Sequence, residues 1–538
     1  NPAMSVSFVA ILVIACSMAL LAKRLKVPYT VLLVVAGLAV SLLLDGAPGL
    51  REHLEKIKLQ PDLLLQLFLP ILLFEAAFHV DLMSFLNNRR AILLLAIPGV
   101  IIGMVLTTAV FVPVAKLIRG NMDWQVGLVI AAMLAATDPI SVVALFKEFT
   151  VAKRLGIIIE GESLINDGIA VVLFGLVVKI TADSLGLTIP TLHGHAEGVH
   201  ALQVLGDFLR EIFLGTAVGV AVGLAISYLT SKVNDHLIEV ALTAIAAYGS
   251  NIGAIQLHAS GVIAVVVCGM MIGNVGAKHG MSPTTREAVF SFWEFAAFMA
   301  NSFVFILIGL EIKLAGLWAY AGLIVAFFVI MILVRGVTVF GAHKLVRRED
   351  LRLKKPWLPV ITWSGVRGSL SMVLAMMLVA TGDSGEATRE LILNIVFGVV
   401  LLSILLQGTT IEWLMKQVGL IGGTREETEY QMALARRQAI RCMVDDLESA
   451  EGRGILSHGT FKILRGQLFD RRDGNDKRIA AMLENTPSLN NIELELHSTH
   501  LRALEKQVYR DLEKEGDIDY DSMESLVRDV VERDRPGG

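Results

Sequence analysis

Long apolar runs alternate with short polar stretches along most of the chain. Runs of about 20 residues, the length a helix needs to cross a hydrocarbon core about 30 Å thick, fall near 5–22, 28–44, 62–80, 91–115, 124–146, 155–180, 203–230, 236–256, 259–275, 286–311, 315–342, 357–380 and 389–416. This pattern predicts an all-α polytopic membrane protein of about thirteen transmembrane helices. Lys and Arg sort to one side of the connecting loops: Lys23, Arg24 and Lys26, then Arg89 and Arg90, Lys147, Lys153 and Arg154, Lys232, Lys278 and Arg286, and the cluster from Lys344 to Lys355. The positive-inside bias then places the amino terminus outside and the carboxyl terminus in the cytoplasm, as an odd number of crossings requires.

The pattern changes after residue 420. Residues 421–538 contain no run long enough to span and hold 18 Lys or Arg against 24 Asp or Glu. They read as an acidic cytoplasmic tail, either with a regulatory or dimerising role through a ligand or partner or as a solvated appendage, whereas residues 1–420 form the transmembrane domain. Ile440, Met443, Val444 and Leu447 fall at helical spacing, as do Leu501, Leu504, Val508 and Leu512, which predicts amphipathic helices that pack on each other or on a partner. The segment "FDRRDGNDKR", 469–478, reads as a turn between helices.

Composition supports the membrane reading. The chain is 54% hydrophobic and 18% charged, with a mean hydropathy of +0.64, against roughly 25% charged residues in a soluble domain. The first run reads as a spanning helix rather than a cleaved signal. Cys16, Cys268 and Cys442 are too scattered for a metal or disulfide framework. His193, His195 and His200 share the longest outer loop but have no Cys or carboxylate framework around them that would make a metal site. No nucleotide loop, nucleophile elbow or zinc-protease motif occurs, so the expectation is a transporter rather than an enzyme, with no cofactor and no nucleic-acid partner. Gly215, Gly219 and Gly223 recur every four residues, a spacing that predicts close helix packing.

Two runs carry helix breakers. The fifth contains "AATDPISVV", where Pro139 lacks an N–H and biases Asp138 away from helical geometry, so the helix should open near Thr137 and leave carbonyls such as that of Ala135 without helical partners. Asp138 reads equally as the cap of the next half-helix or as an ion contact. The twelfth contains "TWSGVRGSLS", with Gly365 and Gly368 flanking Arg367. Broken helices at corresponding positions of two inverted halves point to a midplane binding site.

The sixth run then raises a question of cost. "GIIIEGESLINDGIAVVLF", 156–174, carries Glu160, Glu162 and Asp167 in otherwise apolar surroundings, and a charge in the bilayer core costs about 3 kcal/mol on insertion scales. Ser163, Asn166 and Asp167 share one sector of the helix. Their hard oxygens suit an alkali cation. Glu162 and Arg367 each need a partner, and pairing with each other is the economical solution. Glu75 in "LLFEAAFHVD" is the other carboxylate inside an apolar run; it reads as a residue reaching for the cytoplasmic interface or as part of the site.

"ATDPISVV" followed by "EGESLINDGIAVVLF", together with "FEAAF" and "SGVRGSLS", resembles the monovalent cation:proton antiporter-1 family, the sodium/proton exchangers. The resemblance covers residues 1 to about 420. It implies an antiporter fold with inverted repeats and two crossing broken helices, and a homodimer in which a core subdomain moves the ion past a dimerisation subdomain. It also implies Asp167 as the carrier carboxylate in an Asn166–Asp167 pair, with Thr137, Asp138, Ser163 and Glu75 around it and Glu162 paired to Arg367; Na+ is then expected at Asp167, Ser163, Thr137 and Glu75.

The function this predicts is Na+/H+ antiport across the plasma (inner) membrane, with Li+ as a second substrate. K+/H+ antiport by the same machinery is the alternative, and a cation channel a more distant class. A bare carboxylate in an apolar site is costly, so proton and cation compete for Asp167 and the site crosses only when loaded. In electrogenic relatives an aspartate stands where this chain has Asn166. An amide cannot titrate, so exchange is expected to be one for one.

Overall fold

The computed structural model describes residues 2–25, 29–45, 64–119, 122–139, 142–143, 145–146, 152–188, 201–233, 235–277, 280–311, 314–346, 353–420, 425–485 and short stretches between 501 and 526. His193, His195 and His200 lie outside the described residues. The chain divides into two compact units, Asn1–Ile421 and Gly422–Gly538.

The first unit is almost wholly helical. In chain order its elements are α1 (Pro2–Leu25), α2 (Tyr29–Asp45), α3 (Leu69–His79, entered through a π turn at Leu64–Phe68), α4 (Leu82–Ala96), α5 (Pro98–Arg119), α6 (Trp124–Met133) and α7 (Lys153–Leu185). Strand β1 (Leu187–Thr188) precedes α8 (Ala201–Thr230), α9 (His236–Gln256), α10 (Gly261–Met271, extended by a π turn at Ile272–Gly276), α11 (Pro283–Glu311), α12 (Leu314–Ala319) and α13 (Ala321–Leu345). Then come α14 (Trp357–Trp363), α15 (Ser369–Met376), strand β2 (Val379–Ala380), α16 (Gly382–Leu402, running into a π turn at Ser403–Gln407) and α17 (Gly408–Gln417).

Seven helical stretches among the described residues are long and apolar enough to cross a membrane, and shorter apolar helices accompany them. Large apolar side chains stand exposed on their outer faces, for example Leu117, Phe213 and Leu333, as a lipid-facing surface requires. Each predicted run contains helical residues, although α6 covers only Trp124–Met133 of the fifth. The fourth is part of a longer stretch, Leu82–Arg119, divided at Pro98 where a backbone donor is missing. The all-α expectation misses one detail: β1 pairs antiparallel with β2, and the Thr381 N–H donates to Gly186 O beside it.

Close approach of helices depends on small residues. A Cβ added at Gly219 on α8 would lie 2.5 Å from Ala264 O, and one at Gly223 2.7 Å from the Met271 Cβ, so the predicted glycine spacing seats α8 directly on α10. A large apolar cluster that includes Ile130 and Met133 of α6, Phe327 of α13, Met372 of α15 and Val396 of α16 surrounds the two broken helices. It excludes water from them and fixes where they meet.

The second unit contains α18 (Arg425–Gly452) and α19 (His458–Asn485), which pack on each other. The turn expected at 469–478 is not there; the segment lies inside α19. Tertiary contacts override the loop-like composition: Ile479 is buried with Tyr430 and Ala433, Asn475 donates to Ala433 O (2.9 Å) and Arg478 pairs with Glu429 (2.9 Å). A helical glycine such as Gly474 costs about 1 kcal/mol relative to alanine, which these contacts offset. Leu501, Leu504 and Val508 are exposed.

Candidate functional site

The candidate site forms where two interrupted helices cross. α6 ends at Met133, and Ala136 to Pro139 are non-helical; the Pro139 carbonyl then accepts from the N–H groups of Val142 and Val143 (2.9 and 2.8 Å). α14 ends at Trp363, and residues 365–368 are non-helical before α15 begins. The two breaks bond to each other, because the Asp138 N–H donates to Val366 O (2.7 Å). Gly368 is required by this contact: a Cβ there would lie 2.4 Å from both Cβ and Oδ2 of Asp138.

The carbonyls freed by the first break find donors from elsewhere in the fold. Arg367 Nη1 donates to Ala135 O (2.7 Å) and Ala136 O (3.0 Å). Asn166 Nδ2 donates to Ala135 O and to Thr137 Oγ1, both at 3.0 Å, while Ser163 Oγ donates to Thr137 O. One face of α7 therefore grips the break, as the shared sector of Ser163, Asn166 and Asp167 predicts. The Thr137 backbone also lies beside the Asp167 carboxylate.

Two oxygens at this crossing remain without a donor: Asn166 Oδ1 and Asp167 Oδ1 are buried and make no hydrogen bond. A buried acceptor without a partner is costly, and a proton or a small cation supplies what is missing. Among the described residues no group of three or more His, Cys, Asp or Glu gathers as a metal centre. The donor set is instead a carboxylate, an amide, hydroxyls and backbone carbonyls, which matches a hard monovalent cation rather than a transition metal.

The arginine assignment needs correction. Glu162 does not pair with Arg367. It receives a bidentate bond from Arg335 on α13, Nη1 to Oε1 at 3.2 Å and Nη2 to Oε2 at 2.9 Å. Arg367 is instead consumed by the Ala135 and Ala136 carbonyls, with Nε 3.2 Å from Met331 Sδ. The physical reason is that carbonyls stripped of helical donors are themselves strong acceptors, and the nearest guanidinium satisfies them. Gly365 makes room for Arg335, whose Nε and Cδ would lie 2.4 and 2.6 Å from a Cβ at that position. The sequence does carry a signal for Arg335: it is a lone charge in the apolar run 315–342, and such a charge needs a partner.

Glu75 is the other carboxylate inside an apolar run. It is on α3, half-buried, with Oε1 3.4 Å from His79 Nδ1 one turn on. Tyr29 at the start of α2 connects the regions, since Asp138, Glu75 and Asn301 of α11 all lie near it. Neither Tyr29 nor Asn301 is evident from the sequence, since each is a polar residue near the end or inside of an apolar run with no breaker beside it.

Comparisons with known proteins identify the family and the fold. Residues 9–417 match the family model described as sodium/hydrogen exchanger, transmembrane. The chain is 32% identical to the low-affinity Na+/H+ antiporter NhaS1 of Synechocystis sp., over 98% of this chain and 97% of that one. It is also 32% identical to the Na+/H+ antiporter ApNhaP of Aphanothece halophytica, over 94% and 92% of the two chains. The Na+/H+ antiporter NhaH of Halobacillus dabanensis is 34% identical over 76% of this chain and 97% of its own. The fold resembles that of the sodium proton antiporter MjNhaP1 from Methanocaldococcus jannaschii, with a TM-score of 0.63 at 19% identity over 77% of this chain and 98% of that one.

Proposed function

Because the chain belongs to the sodium/hydrogen exchanger family, we propose that it is a secondary active Na+/H+ antiporter in which cation and proton compete for Asp167. The observation that carries this reading is the pair of unpartnered buried oxygens, Asn166 Oδ1 and Asp167 Oδ1, at the crossing of two broken helices. Thr137, Asp138 and Ser163 supply further oxygens there, and Glu75 stands on the approach with Tyr29. Desolvation makes the bare carboxylate unfavourable, so the site changes sides with a proton or with Na+ and not without either. Coupled exchange follows from that restriction.

In this reading residues 1–420 cross the plasma membrane thirteen times, with the amino terminus outside, and assemble as a homodimer of core and dimerisation subdomains. Exchange serves pH homeostasis and salt tolerance. The tail regulates rather than carries transport; the Halobacillus relative, a shorter chain matched over nearly its whole length, supports that division. Glu162 and Arg335 act as a structural pair behind the site, and Arg367 holds the first break open.

The test is recovery of an imposed pH gradient in proteoliposomes on addition of Na+, Li+ or K+. Na+ and Li+ should discharge it; a response to K+ alone would replace this reading by K+/H+ antiport, and none at all would reject antiport. Since Asn166 cannot titrate, each cycle moves one Na+ against one H+. The Na+-driven rate should therefore stay constant when the membrane potential is varied, and a reversal point that follows the voltage would refute one-for-one exchange.

A further inference from the structure

We propose that Ser403 and Gln407, which lie far from the ion-binding face of α7 in sequence, are positioning residues that set the ion site through the second broken helix. The inference rests on the antiport reading above and deepens it. The break between α14 and α15 leaves backbone groups on both of its sides without helical partners, in a region that holds no room for bulk water: Ser364 and Val366 are buried there.

The π turn Ser403–Gln407 bridges both sides. Ser403 Oγ accepts from the Arg367 N–H (2.8 Å) and donates to Gln407 Oε1. Gln407 Nε2 in turn donates to Trp363 O (3.1 Å). One serine and one glutamine thus tie the last residue of α14 to the second residue before α15. Both are essentially fully buried, Ser403 at 0% and Gln407 at 1% exposure, so no water competes for these bonds.

The π geometry matters because it departs from the regular α-helical hydrogen-bond register over Ser403–Gln407. A chain of direct bonds then runs to the site. Ser403 holds the Arg367 backbone; the Arg367 side chain holds Ala135 and Ala136; Asn166 holds Ala135 and Thr137 beside the Asp167 carboxylate. Displacing the Arg367 backbone displaces the guanidinium and with it the Ala135 carbonyl that the Asn166 amide shares.

The test uses full-length protein and two readouts, the Na+ concentration for half-maximal exchange in proteoliposomes and the Na+ concentration for half-maximal thermal stabilisation in detergent. Ser403→Ala removes the hydroxyl, Ser403→Thr keeps it, and Gln407→Met removes both amide bonds at nearly constant volume. Loss of the buried hydrogen bonds that each side chain makes should raise both half-saturation values by roughly five- to tenfold or more in Ser403→Ala and Gln407→Met, with Ser403→Thr close to wild type. A folded Ser403→Ala with wild-type half-saturation in both readouts, or with only a lower maximal rate, overturns the inference. Should Ser403→Ala fail to fold, the same criterion applies to Gln407→Met. Wild-type protein that neither exchanges Na+ nor is stabilised by it sinks the antiport reading and this inference together, whereas normal wild type beside unchanged variants sinks this inference alone.

Discussion

Replacing Arg335 by Ala removes both bonds to Glu162 and leaves a carboxylate whose side chain is 2% exposed without a counter-charge; the Arg335 side chain is itself only 13% exposed. Breaking a buried pair by deleting one member costs about 3–5 kcal/mol, because the remaining charge keeps its desolvation penalty. The Nε bond to Ile361 O (3.3 Å) is lost as well, which adds to the same side of the balance. Glu162→Gln together with Arg335→Gln removes both charges and should recover a large part of the loss. The assay is a double-mutant cycle on unfolding free energy in detergent, run for Glu162 with Arg335 and in parallel for Glu162 with Arg367. Residues in direct contact couple by about 0.5–3 kcal/mol, and the Arg335 cycle should fall in the upper half of that range. Arg367, whose Nη1 bonds go to carbonyls, should couple distinctly less to Glu162. A coupling to Arg367 equal to or larger than that to Arg335 would refute the pairing.

Asp167→Asn should abolish Na+-driven proton movement while leaving a folded protein, since an amide neither titrates nor neutralises a cation; proteoliposome fluorescence checks it, and retained exchange would reject Asp167 as the carrier. Gly368→Ala places a methyl group against Asp138, and overpacking of this kind costs about 1–3 kcal/mol; the melting temperature should fall and exchange with it, while unchanged values would show that the crossing yields. Removal of residues 426–538 should preserve exchange, because every proposed ligand lies upstream, and should shift its pH profile; an identical profile would leave the tail without a regulatory role.

What can be read from the chain alone is local in origin. A run of about 20 apolar residues is a membrane helix whatever its neighbours do, and a proline withholds an N–H from the helix around it. The broken stretches at Pro139 and at Gly365–Gly368, and the oxygen-bearing sector of Ser163, Asn166 and Asp167, are therefore legible in the amino-acid order. So is the four-residue glycine spacing that seats α8 on α10, since a missing Cβ permits close approach along one helix face. The acidic tail is recognisable too, although its segment 469–478 has the composition of a turn and folds as helix, because burial of Ile479 against Tyr430 and Ala433 outweighs that composition.

Tertiary structure decided which partners those groups take. The choice of Arg335 over Arg367 for Glu162 depends on the rotation of α13 about its axis and on the space left by Gly365, neither of which a one-dimensional pattern encodes. The guanidinium of Arg367 went to carbonyls that exist as free acceptors only once α6 has opened. Ser403 and Gln407 read in sequence as two polar residues inside an apolar run, and only the π turn brings both to the ends of a helix break that lies 36 to 44 positions earlier in the chain. Periodicity and breakers act within a few residues and can be read in order; charge pairing and the satisfaction of buried carbonyls are settled between helices, by distances that packing alone sets.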